Sequence, residues 1–231
     1  MGLKKHIPNA ITCCNLISGC IATVFALMGN FPMALLWIVM GAVFDFFDGM
    51  TARLLHVSSP IGKELDSLAD DVTFGVAPSA MIYYELCAMD YPAFMEPLRP
   101  ILPYFAFLMA AFSALRLAKF NLDERQHYGF IGLPTPANAL FWGSLILGQH
   151  AFLVSAKFNA LFLLLFMLMF SFLLVAEIPL FALKFKNLSW TDNKIKYIFL
   201  IGCIPCLLLA ESCFAGIIMW YIILSLCNRR Q

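Results

Sequence analysis

Charge is scarce in this 231-residue sequence: 13% of its residues are Asp, Glu, Lys or Arg, against 62% that are hydrophobic. An ordinary soluble domain carries about 25% charged residues, so a water-soluble globular fold is excluded. Internal repeats, low-complexity tracts and a polar stretch long enough for a soluble domain are also missing, and residues 1–231 read as a single membrane domain. Eight cysteines give neither a disulfide framework nor a zinc site. Cys203-x-x-Cys206 alone has ligand spacing, yet it sits in an apolar segment without histidine or a second pair, so these cysteines are read as small packing residues. No small-residue cleavage site follows Lys4-Lys5, and Asn9 and Asn15 interrupt the apolar run behind them. The first segment is therefore expected to be an uncleaved helix.

What is present is apolar sequence in lengths of about 20 residues, enough to cross a bilayer. Eight such runs recur, at 9–29, 32–54, 67–88, 100–119, 135–154, 158–183, 195–210 and 213–228. The last two are short and separated by little more than Glu211, which leaves a re-entrant pair open. Lipid forbids unpaired backbone, and runs rich in Leu, Phe and Met favour helices over barrel strands. The expected fold class is all-α, a polytopic helical bundle. Its basic residues are asymmetric. Lys4, Lys5, Arg53, Lys63, Arg116, Lys119, Arg125, Lys184, Lys186, Lys194, Lys196, Arg229 and Arg230 fall on one side, and Arg99 and Lys157 on the other. The positive-inside rule then places both termini and the 55–65 loop in the cytoplasm of a cell-membrane protein. The net charge of +1 conceals this bias, and no nucleic-acid partner is implied.

Within the apolar sequence stand four acids, Asp45, Asp48, Asp66 and Asp70. A carboxylate at membrane depth costs roughly 2.5–3.5 kcal/mol unless it is paired, metal-bound or wet. Residues three or four apart share a helix face, so Asp45 faces with Asp48, and Asp66 with Asp70. Two such faces opposed make a cage of hard oxygen ligands, suited to Mg²⁺ or Mn²⁺. A register-fixing ion-pair network is the plainer reading, with Arg53 and Lys63 neutralising two acids. It leaves two acids over and does not explain the interleaved Gly49, Ala52 and Gly62, which open the helix surface beside them. A carboxylate-coupled transporter is the rival from another class, although pathway acids are usually spread through a bundle rather than gathered at one face.

The pattern Asp45-x2-Asp48-Gly49-x2-Ala52-Arg53-x8-Gly62-x3-Asp66-x3-Asp70 resembles the signature of the CDP-alcohol phosphotransferases. Pro8-Asn9-x2-Thr12-x2-Asn15 is similar to that family's N-terminal motif. Leu65–Asp70 with Phe74-Gly75-Val76-Ala77-Pro78, Arg116-Leu117-Ala118-Lys119-Phe120-Asn121 and Phe130–Pro136 resemble its phosphatidylserine synthase branch. The likeness covers residues 8–138. Lys119 departs from an expected arginine and Thr73 from a common serine; lysine keeps the charge but lacks the bidentate fork.

The resemblance implies a catalytic core at 8–185 with additional C-terminal helices at 186–231. It implies transfer of a phosphatidyl group from CDP-diacylglycerol to L-serine, releasing CMP, in a homodimer surrounded by membrane lipids. Two divalent ions about 3.5–4 Å apart would polarise the phosphoryl group. Asp45, Asp48 and Asp66 would be metal ligands, and Asp70 both ligand and base for the serine hydroxyl. Arg53 would hold a phosphate oxygen, Gly49 and Ala52 would admit the nucleotide, and Gly62 would relieve the start of the third helix. Asn9, Thr12 and Asn15 lie on one helix face and either line the nucleotide pocket or bond between helices. Arg116, Lys119 and Asn121 either bind the serine carboxylate or lipid phosphate or anchor the helix at the membrane surface. A glycerol 3-phosphate or inositol phosphate acceptor is the alternative within the family, but it should demand further arginines. His56 and His127 read as solvated interfacial residues. Asp71 points about 100° away from Asp70, and Pro134 and Pro136 shape the start of the fifth helix.

Overall fold

A computed structural model describes residues 6–57, 59–122, 130–181 and 189–227. Nine α-helices run through these described residues: α1 (His6–Leu27), α2 (Phe31–Leu54), α3 (Pro60–Asp70), α4 (Ala77–Ala88), α5 (Leu108–Leu122), α6 (Thr135–Leu153), α7 (Ala160–Val175), α8 (Trp190–Cys206) and α9 (Cys213–Cys227). Because α3 runs into α4 through one π-helical stretch, Asp71–Val76, the helices form eight rods among the described residues. Strand is confined there to a two-residue antiparallel pair, β1 (Phe130–Ile131) and β2 (Pro179–Leu180). The all-α polytopic bundle is thus the observed class. By length and composition, His6–Leu27, Phe31–Leu54, Leu102–Leu122 and Asn193–Cys227 can each cross a membrane.

The bundle buries a set of polar side chains beside its hydrophobic core and turns apolar ones outward. Asn15, Thr73, Ser79, Glu85, Ser113 and Asn138 are fully buried, whereas Ile17, Val24, Phe46, Leu165 and Leu208 face outward. Water would drive the opposite arrangement. In lipid, polar side chains gain by finding one another inside, while outward leucines cost nothing. Aromatic packing holds the far side together, with Phe141 stacked on Phe170 at 4.1 Å and Trp142 edge-on to both.

Of the boundaries that differ from the sequence expectation, two have a clear local cause. The third rod starts at Pro60, not residue 67, because Ser59 accepts a hydrogen bond from the Gly62 amide and Pro60 is preorganised for a first turn. The expected 55–65 loop is therefore short. The sixth helix ends at Val175 rather than 183, since Pro179 biases Ile178 away from helix and the chain turns into β2. Pro134 and Pro136 do flank the start of α6. The last two runs form a hairpin of two helices: the backbone reverses at Ala210 (φ 47°), and Gly202 packs directly against the Trp220 indole.

The π stretch also has a local cause. Pro78 has no amide to bond the Phe74 carbonyl, and its ring would collide with that carbonyl in a regular helix. Widening the turn resolves both problems. It also presents Thr73 to α1, where the Thr73 hydroxyl lies 2.8 Å from Asn15 Oδ1 and 3.0 Å from the Asn15 carbonyl oxygen. Gly19 allows this approach: a Cβ there would stand 2.7 Å from the Thr73 Cα. In consequence α1, α2 and the third rod are clamped together around the four aspartates.

Candidate functional site

Asp45 and Asp48 lie in the last turns of α2, Asp66 and Asp70 in the second half of α3, and α1 packs across both helices. One carboxylate oxygen from each of Asp45, Asp48 and Asp66 lies within 4.8 Å of the others. At an effective dielectric near 20, two unit charges so placed repel by about 3 kcal/mol, so three ionised carboxylates need a counter-charge. Among the described residues no Lys or Arg forms an ion pair with them. The neutralisers that an ion-pair network would need do not pair with the acids: Arg53 is exposed, and the Lys63 ammonium donates instead to the Asn121 carbonyl at 2.8 Å. Asp66 Oδ1 is buried without a hydrogen-bond partner. Three hard oxygens, no paired cation among the described residues and an orphaned lone pair fit one or two small divalent ions.

Asp70 stands apart from this triad, one helical turn deeper and 9% exposed. It accepts a hydrogen bond from Asn15 Nδ2 at 3.0 Å, and it lies close enough to feel the charges of Asp45, Asp66, Asp48 and Arg116. Asn15 is a relay, since its amide nitrogen holds Asp70 while its oxygen faces the Thr73 hydroxyl. Thr12 has the matching role a turn earlier on α1. Its Oγ1 lies 2.5 Å from Asp48 Oδ2 and 3.0 Å from the Pro8 carbonyl, with one proton to serve either. Thr12 and Asn15 are thus polar contacts of the acids.

Above the acids a cavity of about 210 Å³ opens, lined by Pro8, Asn9, Thr12, Asp48, Gly49, Ala52, Val57, Ser59, Gly62, Lys63 and Asp66. A Cβ at Gly49 would meet nothing within 4 Å, so this glycine leaves the cavity wall open. Gly62 acts differently. A Cβ there would crowd Ser59 Oγ at 3.0 Å and Asn9 Oδ1 at 3.1 Å, so its absence lets α3 close on α1.

The remaining predicted residues separate. Arg116 is buried, reaches Thr135 Oγ1 at 3.4 Å and lies over the Phe120 ring. Lys119 is exposed. Asn121 is engaged within the protein, donating from Nδ2 to Ser67 Oγ at 2.8 Å while its carbonyl receives Lys63. Asp71 turns from the triad toward Ser113, both crowding Gly75. His56 is exposed at the end of α2, and Arg125 and His127 fall outside the described residues. Sequence reasoning passed over Lys63, Ser59 and Val57 as cavity residues. The position of Lys63, three residues before Asp66 and so on its face, was the available signal.

The family described as CDP-alcohol phosphatidyltransferase matches residues 5–176, which takes in the whole site and leaves α8 and α9 outside. Relatives named CDP-diacylglycerol–serine O-phosphatidyltransferase are similar over somewhat more than half of the chain. That of Bacillus subtilis is 41% identical over 132 residues, 57% of this chain and 70% of the relative. That of Helicobacter pylori J99 is 35% identical over 135 residues, 58% of this chain and 54% of the relative. That of Methanocaldococcus jannaschii is 37% identical over 134 residues, 58% and 57% respectively. The match thus spans little more than half the length of the latter two relatives.

Proposed function

Because the chain belongs to the CDP-alcohol phosphatidyltransferase family, we propose that it transfers the phosphatidyl group of CDP-diacylglycerol to the hydroxyl of L-serine, giving phosphatidylserine and CMP. The observation that carries this reading is the convergence of Asp45, Asp48 and Asp66 beside an open cavity, with Asp70 held one turn away. The relatives' names support serine.

Asp45, Asp48 and Asp66, with Asp70 alongside, would hold Mg²⁺ or Mn²⁺. Two such ions, when bound, supply charge neutralisation at the diphosphate and at departing CMP. The nucleotide occupies the cavity between α1 and α3, against Asn9, Thr12 and the open face at Gly49 and Ala52. Arg53, exposed in the last turn of α2 and outside the cavity lining, would have to swing inward to meet a phosphate oxygen. Serine enters from the α5 side, where the buried Arg116 faces its carboxylate, and Lys119 supplies a second positive charge at the surface. The serine hydroxyl oxygen attacks the phosphorus attached to diacylglycerol, the bond from that phosphorus to the CMP oxygen breaks, and Asp70 accepts the hydroxyl proton. Asn15 fixes the Asp70 carboxylate for that transfer. Purified protein given CDP-diacylglycerol and a panel of alcohols should release CMP with serine. Release with glycerol 3-phosphate but not serine would leave the family standing and overturn the acceptor.

The site of this integral membrane protein would lie at the cytoplasmic face, in a homodimer. The described cations Arg53, Lys63, Arg116, Lys119, Lys194 and Lys196 fall at the helix ends on the aspartate side, while Arg99 and Lys157 belong to opposite loops. Lys4, Lys5, Arg125, Lys184, Lys186, Arg229 and Arg230 lie outside the described residues. Ile61 is 74% exposed beside the site. In a cysteine-free background, Ile61→Cys should resist impermeant thiol reagents applied to intact cells and react after permeabilisation. Equal labelling before and after would reverse the orientation.

A further inference from the structure

Lys63 is the one cation among the described residues that line the cavity. Its surroundings are those of a side chain waiting for an anion. The ammonium has three donors, and its described bond is to a neutral carbonyl, that of Asn121 at 2.8 Å. It forms no ion pair among the described residues, although Asp66 stands one turn away on the same helix and the other acids cluster beyond. The residue is exposed and its stem is flexible, so the ammonium can move without disturbing the backbone of α3.

The cavity itself poses an electrostatic problem. Asp48 and Asp66 line it, and its ligand carries a diphosphate. Ions held by the acids offset charge at the carboxylate end, but among the described residues a phosphate oxygen lying toward Ser59 and Gly62 meets the uncharged Ser59 hydroxyl, Asn9 carboxamide and backbone groups. Lys63 follows directly on that stretch. Arg53 does not line the cavity.

We propose that Lys63 is a donor-phosphate ligand: on binding of the CDP head group its ammonium exchanges the Asn121 carbonyl for a phosphate oxygen. This rests on the proposed use of a CDP-linked lipid and adds a binding residue at that site. The exchange replaces a bond from the charged ammonium to a neutral carbonyl with one in which donor and acceptor are both ionised. It also frees the last turn of α5, since Lys63 and Ser67 together tether Asn121. Donor binding is thereby coupled to the helix that carries Arg116.

The test is equilibrium binding of CDP to the purified, detergent-solubilised full chain in Mg²⁺, with no acceptor present. Lys63→Met keeps the length of the stem and removes the charge. It should weaken CDP binding by about 10–100-fold, the loss of one charged hydrogen bond, and Lys63→Arg should recover most of it. Cytidine, which has no phosphate, should bind both forms equally, and this separates loss of the phosphate contact from a damaged fold. Unchanged CDP affinity in a folded Lys63→Met protein would overturn the proposal, as would an equal loss for cytidine and CDP. In turnover assays the effect should fall on the KM for CDP-diacylglycerol with kcat nearly constant. Failure of serine as acceptor would leave the CDP-binding result intact, whereas failure of the unaltered chain to bind CDP would overturn the donor assignment itself.

Discussion

Stripping divalent metal from the protein with excess EDTA is expected to bring CMP release to background, and Mg²⁺ or Mn²⁺ should restore it where Ca²⁺ does not. The expectation rests on three carboxylates within 4.8 Å of one another, uncompensated by any described Lys or Arg ion pair. Calcium prefers longer bonds and more ligands than this compact set offers. Asp45→Asn removes one charged ligand while keeping the side-chain shape. Loss of several kcal/mol of charge stabilisation corresponds to a fall in turnover on the order of 10³-fold. The same change should raise the Mg²⁺ concentration needed for half-maximal activity, a shift that a fold defect would not produce. It should also relieve repulsion within the metal-free cluster, so the metal-free variant should melt no lower than the metal-free parent. Full turnover after metal stripping, or an unaltered Mg²⁺ requirement in Asp45→Asn, would rule out the triad as the metal site.

The other large effect is expected at Asp70. It lies outside the close triad and is fixed by the Asn15 amide, as a positioned base must be. Asp70→Asn keeps the volume and retains a carbonyl oxygen to accept from Asn15 Nδ2, so the packing of α1 on the third rod should survive. Serine's hydroxyl loses its proton acceptor, and a base of this kind contributes roughly 10²–10⁴-fold. Turnover should fall by that range while affinity for CDP is largely preserved, which separates loss of the base from loss of the donor site. Near-normal turnover in Asp70→Asn would assign the proton transfer elsewhere. Asn15→Ala should lower kcat in the same direction but by less, because the carboxylate remains and only its orientation is released.

Much of this molecule was legible from local chemistry. Apolar runs of about 20 residues demand helices in lipid, since only a helix satisfies its own backbone there. The spacing of Asp45 with Asp48 and of Asp66 with Asp70 set each pair on one face, a matter of 3.6 residues per turn. The start of α3 was readable but passed over: Ser59-Pro60 caps and begins a helix that a hydropathy window, averaging over Lys63, Glu64 and Asp66, assigns to a loop.

The roles of single polar residues were not legible in the same way, because they depend on which other helix comes alongside. Arg116, Lys119 and Asn121 read as one polar group at a helix end, yet burial takes Arg116 toward Thr135, exposure leaves Lys119 outside and Ser67 takes the Asn121 amide. Lys63 read as a neutraliser of acids; the packing of α5 on α3 gives it a carbonyl instead and leaves it on the cavity wall. Thr12 and Asn15 each had two readings on one face of α1, and only the close approach of that helix, permitted by Gly19, brings them to Asp48 and Asp70. Sequence by itself determined the helical membrane class, the four acids and their pairing by face, because these follow from bonds and periods within one segment. Tertiary structure alone decided which three acids converge, which residue holds the fourth and where the cations point, because each of those distances spans helices far apart in the chain.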